Sequence, residues 1–182
     1  MLKSNMKFKI IIFAIFSLNS FLNAQDFRND AFQFTITYPS NWVVKENQRN
    51  LLYDGTYKEF ASVSINAQKL AVPDSFTVLH VGMKSIREMV ENDVQYAYDH
   101  FTMKDWGRAT IDGKTAFFFC YYYSDFLNDF MTKYVCVLYV LIHRGFIYTI
   151  FTTAPEDKFD LYEKNMQEVV ESFRLLNKKI KK

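Results

Sequence analysis

Three long runs of β-branched and aromatic residues follow one another in the second half of the chain. They occupy residues 114–123, 133–142 and 146–152, and only short stretches separate them. Such residues favour strands, and short connections between strands favour antiparallel pairing. The chain is therefore expected to build a long antiparallel sheet, to which the first half adds shorter extended runs at residues 32–38, 42–45, 51–53 and 60–67.

Two segments carry apolar residues at the spacing of a helix face, with intervals of three and four. The first follows Pro73 and has a stripe of Phe76, Leu79, Met83, Ile86 and Val90. The second follows Pro155 and has a stripe of Phe159, Tyr162, Met166, Val169, Val170 and Phe173. Residues 92–105 are expected to be a helix end and a loop. Two amphipathic helices beside an antiparallel sheet predict an α+β fold, in which helices pack the sheet in an α/β/α-type layered sandwich.

The first 24 residues have the features of a cleavable secretory signal. Lys3, Lys7 and Lys9 precede an apolar run at residues 10–18, and a more polar stretch then ends at the small residue Ala24. This order is typical of a signal peptide. An uncut membrane anchor is the alternative, but a bilayer span takes about 20 apolar residues. We expect cleavage after Ala24, a periplasmic or secreted location, and no transmembrane anchor in the mature chain.

Residues 25–176 are expected to form a single domain, followed by a basic tail at residues 177–182. Without residues 1–24, which hold three Lys and no acidic residue, the chain has 19 basic and 20 acidic residues. The net charge of +2 of the full chain is thus a property of the expected signal. A chain without a basic surplus is not expected to bind nucleic acid.

Short motifs at the two ends of this region carry a family resemblance. Tyr38-Pro39-x-x-Trp42 closes the first extended run, and Ser172-Phe173 lies at the end of the second helix. With the central helix and the strand-rich second half between them, the order of these motifs over residues 30–176 resembles the PsbP-like superfamily, which includes DcrB-like bacterial envelope proteins. The resemblance implies an antiparallel sheet between helical layers, and a binding or accessory role rather than an enzymatic one. It transfers no ligand, and we expect the aromatic motif to fix a turn and fill a core edge.

Cys120 and Cys136 lie in two runs that are expected to pair as neighbouring strands. Export places them in an oxidising compartment, where an even number of cysteines favours disulfides. Pairing the two positions centres the connection on residue 128, the middle of the loop expected at residues 124–132, so this register permits them to lie opposite each other. The alternative is two free cysteines that pack as small apolar side chains. A redox role is not expected, because the spacing is not CxxC.

The chain lacks the sequence motifs of common catalytic and metal sites. His80, His100 and His143 are isolated, so no spacing places two of them on one metal ion. No serine stands in a GxSxG context, and no glycine-rich phosphate loop occurs. We therefore expect no catalytic residue, metal or cofactor. A hydrolase whose residues meet only in space is the least favoured alternative.

The expected loop at residues 124–132 is rich in large apolar side chains. Loops usually lie at the surface, and an apolar cluster with a polar rim is typical of an interaction site. The alternative is that the segment folds back and covers one end of the sheet. The expected interaction patch consists of Tyr121, Tyr123, Phe126, Leu127, Phe130 and Met131.

Two non-catalytic functions follow from these features. The first is an exported binding or accessory module of the cell envelope, which docks a protein partner through an apolar surface patch. The second is a carrier of a hydrophobic small ligand held between sheet and helix. The second function predicts a pocket of several hundred Å³, as small-molecule sites typically have.

Overall fold

The computed structural model describes residues 24–48, 51–58, 60–127 and 130–176. The expected signal peptide, except its last residue, and the expected basic tail lie outside the described residues. Ala24 is the first residue of the first strand, where it pairs with Pro39. Within the described ranges, no helix has the length and apolarity needed to cross a membrane.

The strands form two antiparallel sheets. In chain order they are β1 (Ala24–Asn29), β2 (Phe34–Pro39), β3 (Val43–Gln48), β4 (Leu51–Tyr57), β5 (Ala61–Lys69), β6 (Asp99–Ile111), β7 (Lys114–Leu127), β8 (Phe130–His143), β9 (Phe146–Pro155) and β10 (Arg174–Leu175). The small sheet has the order β1-β2-β10, and the large sheet has the order β3-β4-β5-β9-β8-β7-β6. The three long runs of the second half are therefore adjacent in the large sheet, as their short connections predict.

Helices pack against both faces of the large sheet. They are α1 (Val78–Val81), α2 (Met83–Ala97) and α3 (Phe159–Ser172), and a short 3₁₀ helix, Glu156–Lys158, precedes α3. Side chains alternate between the two faces of a strand, so each face has its own core. One core joins α3 and the small sheet to β5 and β9, and the other joins α1 and α2 to β7 and β8. This arrangement confirms the expected α+β layered fold.

Each helix covers only part of its face of the large sheet. The helix α3 packs over β5 and β9, whereas α2 packs over β6 and β7. The two helices therefore lie over different halves of the sheet. On each face, a groove remains between the helix and the strands beside it.

The first helical stripe, expected from Phe76 to Val90 on one continuous helix, is interrupted by Gly82. Gly82 has a φ of +85°, a conformation that only glycine adopts without strain, and it separates α1 from α2. As a consequence Leu79, expected on the buried stripe, is 49% exposed, and Val78 is fully buried in its place. The stripe of α2 instead continues to Val94.

The expected loop within residues 92–105 is wrong, because α2 continues to Ala97 and β6 begins at Asp99. The pairing of β6 with β7 contains two irregularities, one between Asp99 and Thr102 and one between Met103 and Asp105. A bulge shifts the alternation of side chains by one position. The period of two, on which the strand prediction depends, is therefore absent from this part of the sequence.

The expected loop at residues 124–132 is also wrong, because both strands of this hairpin extend into it. The β7–β8 pairing continues through Asp125 with Thr132 and Phe126 with Met131 to Leu127 with Phe130. Only residues 128 and 129, which lie outside the described ranges, separate the two strands. The apolar residues of this segment therefore lie on paired strands rather than in a nine-residue loop.

Candidate functional site

The aromatic motif of the opening strand is structural. The Tyr38 ring is fully buried, and its hydroxyl donates a hydrogen bond to the Val63 carbonyl at 3.0 Å. The Trp42 amide donates to the Pro39 carbonyl at 3.0 Å, which closes the turn, and the indole stacks on Tyr57. These contacts confirm that the motif fixes a turn and fills a core edge.

The second motif fastens the end of α3 to the small sheet. The Ser172 hydroxyl accepts a hydrogen bond from the Thr37 amide at 2.9 Å and lies 3.0 Å from the Thr37 carbonyl. The next residue, Phe173, is fully buried and stacks on Phe34 with 5.3 Å between ring centroids. Both family motifs therefore contribute to packing between the layers. The candidate site consists of other residues.

The two cysteines lie on opposite faces of the large sheet. In the β7–β8 register, Cys120 pairs with Val137 and Cys136 pairs with Tyr121. The register that permits the cysteines to lie opposite each other is therefore wrong by one residue, because two residues separate the strands at their turn. Neighbouring positions along a strand project to opposite faces, and both cysteines are free thiols in the structure.

Their surroundings differ as well. Cys136 is buried in the core under α2, whereas Cys120 is half-buried on the α3 face. Burial raises the pKa of both thiols, that of Cys136 to about 11. A high pKa keeps a thiol protonated, and the protonated form is the less reactive one.

We expect the free energy of unfolding to fall as the pH rises from 9 towards 11. The unfolded chain loses the Cys136 proton near its ordinary pKa of 9.0, while the folded chain retains it to about 11. The stability from this group is therefore complete below pH 9 and is lost at a rate of up to about 1.4 kcal/mol per pH unit. Urea unfolding at pH 8.5, 9.5 and 10.5 under reducing conditions measures this slope.

The variants Cys136→Ala and Cys120→Ala form the matched pair for this experiment. The slope should become shallower in Cys136→Ala and change less in Cys120→Ala, whose side chain is only half-buried. Burial also raises the pKa of Tyr38, Tyr121 and Tyr123, so these tyrosines add to the slope in the same direction, but all three proteins share them. Equal slopes in the wild type and Cys136→Ala would show that the thiol is not the group that titrates.

The expected interaction patch is divided between the core and the surface. Tyr121 is 3% exposed and packs under α2. Tyr123 stacks on Tyr134, its partner across the strands, with 5.3 Å between ring centroids. The side chains of Leu127 and Phe130 lie outside the described residues. Phe126 and Met131, by contrast, are 65% and 54% exposed and pair directly across the hairpin.

The end of the β7–β8 hairpin projects beyond the rest of the large sheet. The strand β6 begins opposite Ser124, and β9 ends opposite Tyr134. Within the described chain, residues 125–127 therefore pair only with residues 130–132. Phe126 and Met131 thus stand on a two-stranded extension of the large sheet.

The end of α2 contributes two tyrosines to the same surface, which the sequence analysis did not include. Tyr96 is 96% exposed and Tyr98 is 38% exposed. Both line a recess of about 140 Å³ together with Phe126 and Met131. We call these four side chains the hairpin tip surface. The sequence does not predict this position, because a helix end followed by a loop over residues 92–105 does not place the two tyrosines beside the hairpin.

The groove beside α2 is predominantly apolar. Its volume is about 470 Å³, within the range of small-molecule sites. One wall is α2, with Ile86, Met89, Val90 and Val94, and the floor is formed by β8 and β9, with Leu138, Val140, Ile142, Ile147 and Phe151. We call this the apolar groove. Its position between sheet and helix is the one that the second expected function requires.

The groove beside α3, on the other face, is charged. Its volume is about 680 Å³, and Cys120 lies in its lining. Lys104 and Arg108 of β6 and Asp160 and Glu163 of α3 also line it. Among the described residues, no group of three or more His, Cys, Asp or Glu side chains is placed to hold a metal ion.

Solved structures with the same fold come from several bacteria. The solution structure of CyanoP, the cyanobacterial PsbP of Synechocystis, is 16% identical with a TM-score of 0.61, over 84% of this chain and 92% of that one. LpqN of Mycobacterium tuberculosis, described as involved in cell envelope biogenesis, is 13% identical with a TM-score of 0.56, over 90% and 96%. A protein of Bacteroides thetaiotaomicron is 16% identical with a TM-score of 0.53, over 86% of this chain and 50% of that one, so the chain spans half its length.

At these identities the structural likeness shows the fold alone. No curated protein matches the chain in sequence. The PsbP family matches residues 22–175, a range that includes every described strand and helix. Since this match covers most of the sequence and agrees with the observed fold, the chain belongs to the PsbP family.

Proposed function

We propose that this chain is an exported, non-catalytic accessory module of the cell envelope that docks a protein partner through the hairpin tip surface. The observation that carries the proposal is the pair formed by Phe126 and Met131, two apolar side chains that are both more than half exposed. Membership of a family of mostly binding and accessory modules supports a role without catalysis. The involvement of LpqN in cell envelope biogenesis supports a place in the envelope.

The construction of the hairpin tip surface suits protein recognition. Exposed apolar clusters with a polar rim mark interaction sites, and aromatic residues contribute most to binding energy at such sites. The paired strands fix the backbone at Phe126 and Met131, so little backbone conformational entropy is lost on docking. The polar rim includes Ser124 and Asp125, which line the same recess.

The double variant Phe126→Asp, Met131→Asp is expected to weaken docking at least tenfold without lowering the melting temperature by more than about 2 °C. Two carboxylates at the centre of an apolar interface remain unpaired when it closes, which opposes binding, whereas exposed substitutions rarely change stability. Pull-down of the partner from solubilised envelopes and thermal unfolding measure the two effects. The protein is purified from the periplasmic fraction, where its intact mass shows whether residues 1–24 have been removed.

Val43→Asp is the matched control for this experiment. Val43 is 63% exposed, close to the value for Phe126, and it lies on β3, at the opposite edge of the large sheet from β6. A photo-crosslinking residue at position 126 should capture one partner that the same residue at position 43 does not. A large fall in stability of the double variant would show instead that the two side chains are part of the core, and unchanged partner recovery would show that docking uses another surface.

Carriage of a hydrophobic small ligand is the second candidate function. The observation that favours it is the apolar groove, which has the expected size and position between sheet and helix. The two functions use different surfaces, so they can be tested independently of each other.

A further inference from the structure

We propose that the apolar groove binds a single-chain amphiphile with an uncharged, hydroxyl-bearing head, and that its acyl or alkyl chain lies along the groove parallel to α2. This inference rests on the second candidate function, and it names the class of ligand.

The groove exists because α2 covers one side of the sheet face and leaves the other side open. The solvent face of an antiparallel sheet is usually polar. The strand β5 follows this rule with Asn66 and Gln68, but β9 places Ile147 and Phe151 on the same face. Both are only half-buried in the structure. An apolar occupant of the groove would remove them from water.

The groove extends towards the turn between β8 and β9. Leu70 and Phe76 line the end near the β8–β9 turn, where the Leu70 amide donates a hydrogen bond to the Gly145 carbonyl. From Ile147 to Phe151 the floor is about 14 Å long, at a rise of about 3.4 Å per residue. A volume of about 470 Å³ over this length fits one extended chain of medium length.

The lining is almost free of charge. Among the described residues that form the lining, Asp93 is the only carboxylate, and none is Lys, Arg or His. Nothing in this lining can neutralise an anionic head, and Asp93 would repel one. Lipids with a phosphate or carboxylate head are therefore disfavoured relative to uncharged ones.

Uncharged polar side chains line the side of the groove opposite α2. Asn66 of β5 pairs with Thr149 of β9, and Gln68 pairs with Ile147. Two amides and one hydroxyl thus stand together beside the apolar floor. They provide both donors and acceptors, which is the recognition chemistry that suits hydroxyl groups on an uncharged head.

The test is calorimetry of the delipidated protein with 1-monoacylglycerols of eight, ten and twelve carbons, each used below its micellar concentration. We expect saturable binding with one ligand per chain. Each buried methylene should tighten the Kd about fourfold until the groove is full. Dodecanoate, which has an anionic head, should bind at least tenfold more weakly than the twelve-carbon monoacylglycerol.

Two variants of the groove and one control locate the binding. Met89 lines the groove and is 59% exposed, and Met131 of the hairpin tip surface is 54% exposed, so Met89→Glu and Met131→Glu are a matched pair. Met89→Glu should weaken monoacylglycerol binding at least tenfold, and Met131→Glu should leave it unchanged. Gln68→Trp, at an exposed position, places a large ring over the open side and should also weaken binding.

Each outcome separates this inference from the docking function. Absence of saturable binding, or equal binding by Met89→Glu and the wild type, overturns the groove as a ligand site and leaves partner docking unaffected. Equal binding of dodecanoate overturns the uncharged head. Monoacylglycerol binding that persists in a tip variant unable to capture the partner supports two separate sites. Loss of partner capture in Met89→Glu, without amphiphile binding in the wild type, would assign the groove to the protein partner.

Discussion

Gly55→Ala is expected to lower the free energy of unfolding by about 3 kcal/mol, because a β-carbon at this position has no room. It would lie 2.2 Å from Cε1 and 2.5 Å from Cδ1 of the Tyr38 ring, far inside van der Waals contact. The ring cannot easily move away. It is fully buried, its hydroxyl is bonded to the Val63 carbonyl, and Phe27 and Trp42 pack against it at centroid distances of 5.7 and 5.8 Å.

Urea unfolding of single and double variants tests this steric explanation. Gly82→Ala is the control for a glycine effect without crowding, because no atom lies within 4 Å of its added β-carbon and only its backbone, at a φ of 85° and a ψ of 145°, is strained, at about 2 kcal/mol. In a Tyr38→Ala background, Gly55→Ala should cost much less than in the wild type, since residues in contact are not additive. Additive costs would place the origin of the effect in the backbone of β4.

Phe173→Ala is expected to cost about 4 kcal/mol of unfolding free energy, within the usual range for removal of a buried phenylalanine ring. Phe173 follows the last residue of α3 and is fully buried. It stacks on Phe34 of β2 and meets Tyr148 of β9 edge-on, with 5.6 Å between those ring centroids. The ring therefore joins α3, the small sheet and the large sheet, and its removal leaves a cavity where all three meet.

Phe126→Ala is the matched control for this variant. The same side chain is removed, but from a position that is 65% exposed, so the free energy of unfolding should change by no more than about 0.5 kcal/mol. The effects on partner docking should have the opposite order to the effects on stability. Phe126→Ala should weaken docking, and any folded Phe173 variant should retain it. A Phe173→Ala protein of normal stability that no longer docks its partner would show that the second family motif belongs to the binding surface.

Local patterns in the sequence predict much of the fold. The alternation of β2 and β5 places Phe34, Ile36, Val63 and Ile65 in the core, and the stripe of α3 places Met166 and Val169 there. These predictions are confirmed because each depends on which face of one element is apolar. The family motifs at Tyr38 and Phe173 predicted the same layers, and the match over residues 22–175 confirms the family.

The predictions that failed depend on relations between elements. Two shifts in the β6–β7 register interrupt the alternation of β6, so its strand pattern is not visible in the sequence. The two-residue separation of β7 and β8 places Cys120 and Cys136 on opposite faces. A shift of one residue in register reverses every side chain of a strand, and no local pattern in these runs determines that shift. The segment at residues 124–132 was correctly identified as rich in apolar residues, but its conformation was not.

The sequence alone determined the fold class, the family and the presence of large apolar residues near the end of the β7–β8 hairpin, because hydrophobic periodicity and composition are local properties. Only the tertiary structure decided which of those residues reach solvent. It buried Tyr121 under α2, exposed Phe126 and Met131, and placed Tyr96 beside them. It also created the apolar groove, whose walls come from β5, α2, β8 and β9. Exposure and cavities depend on how distant segments pack, and the sequence pattern of any one segment does not contain that information.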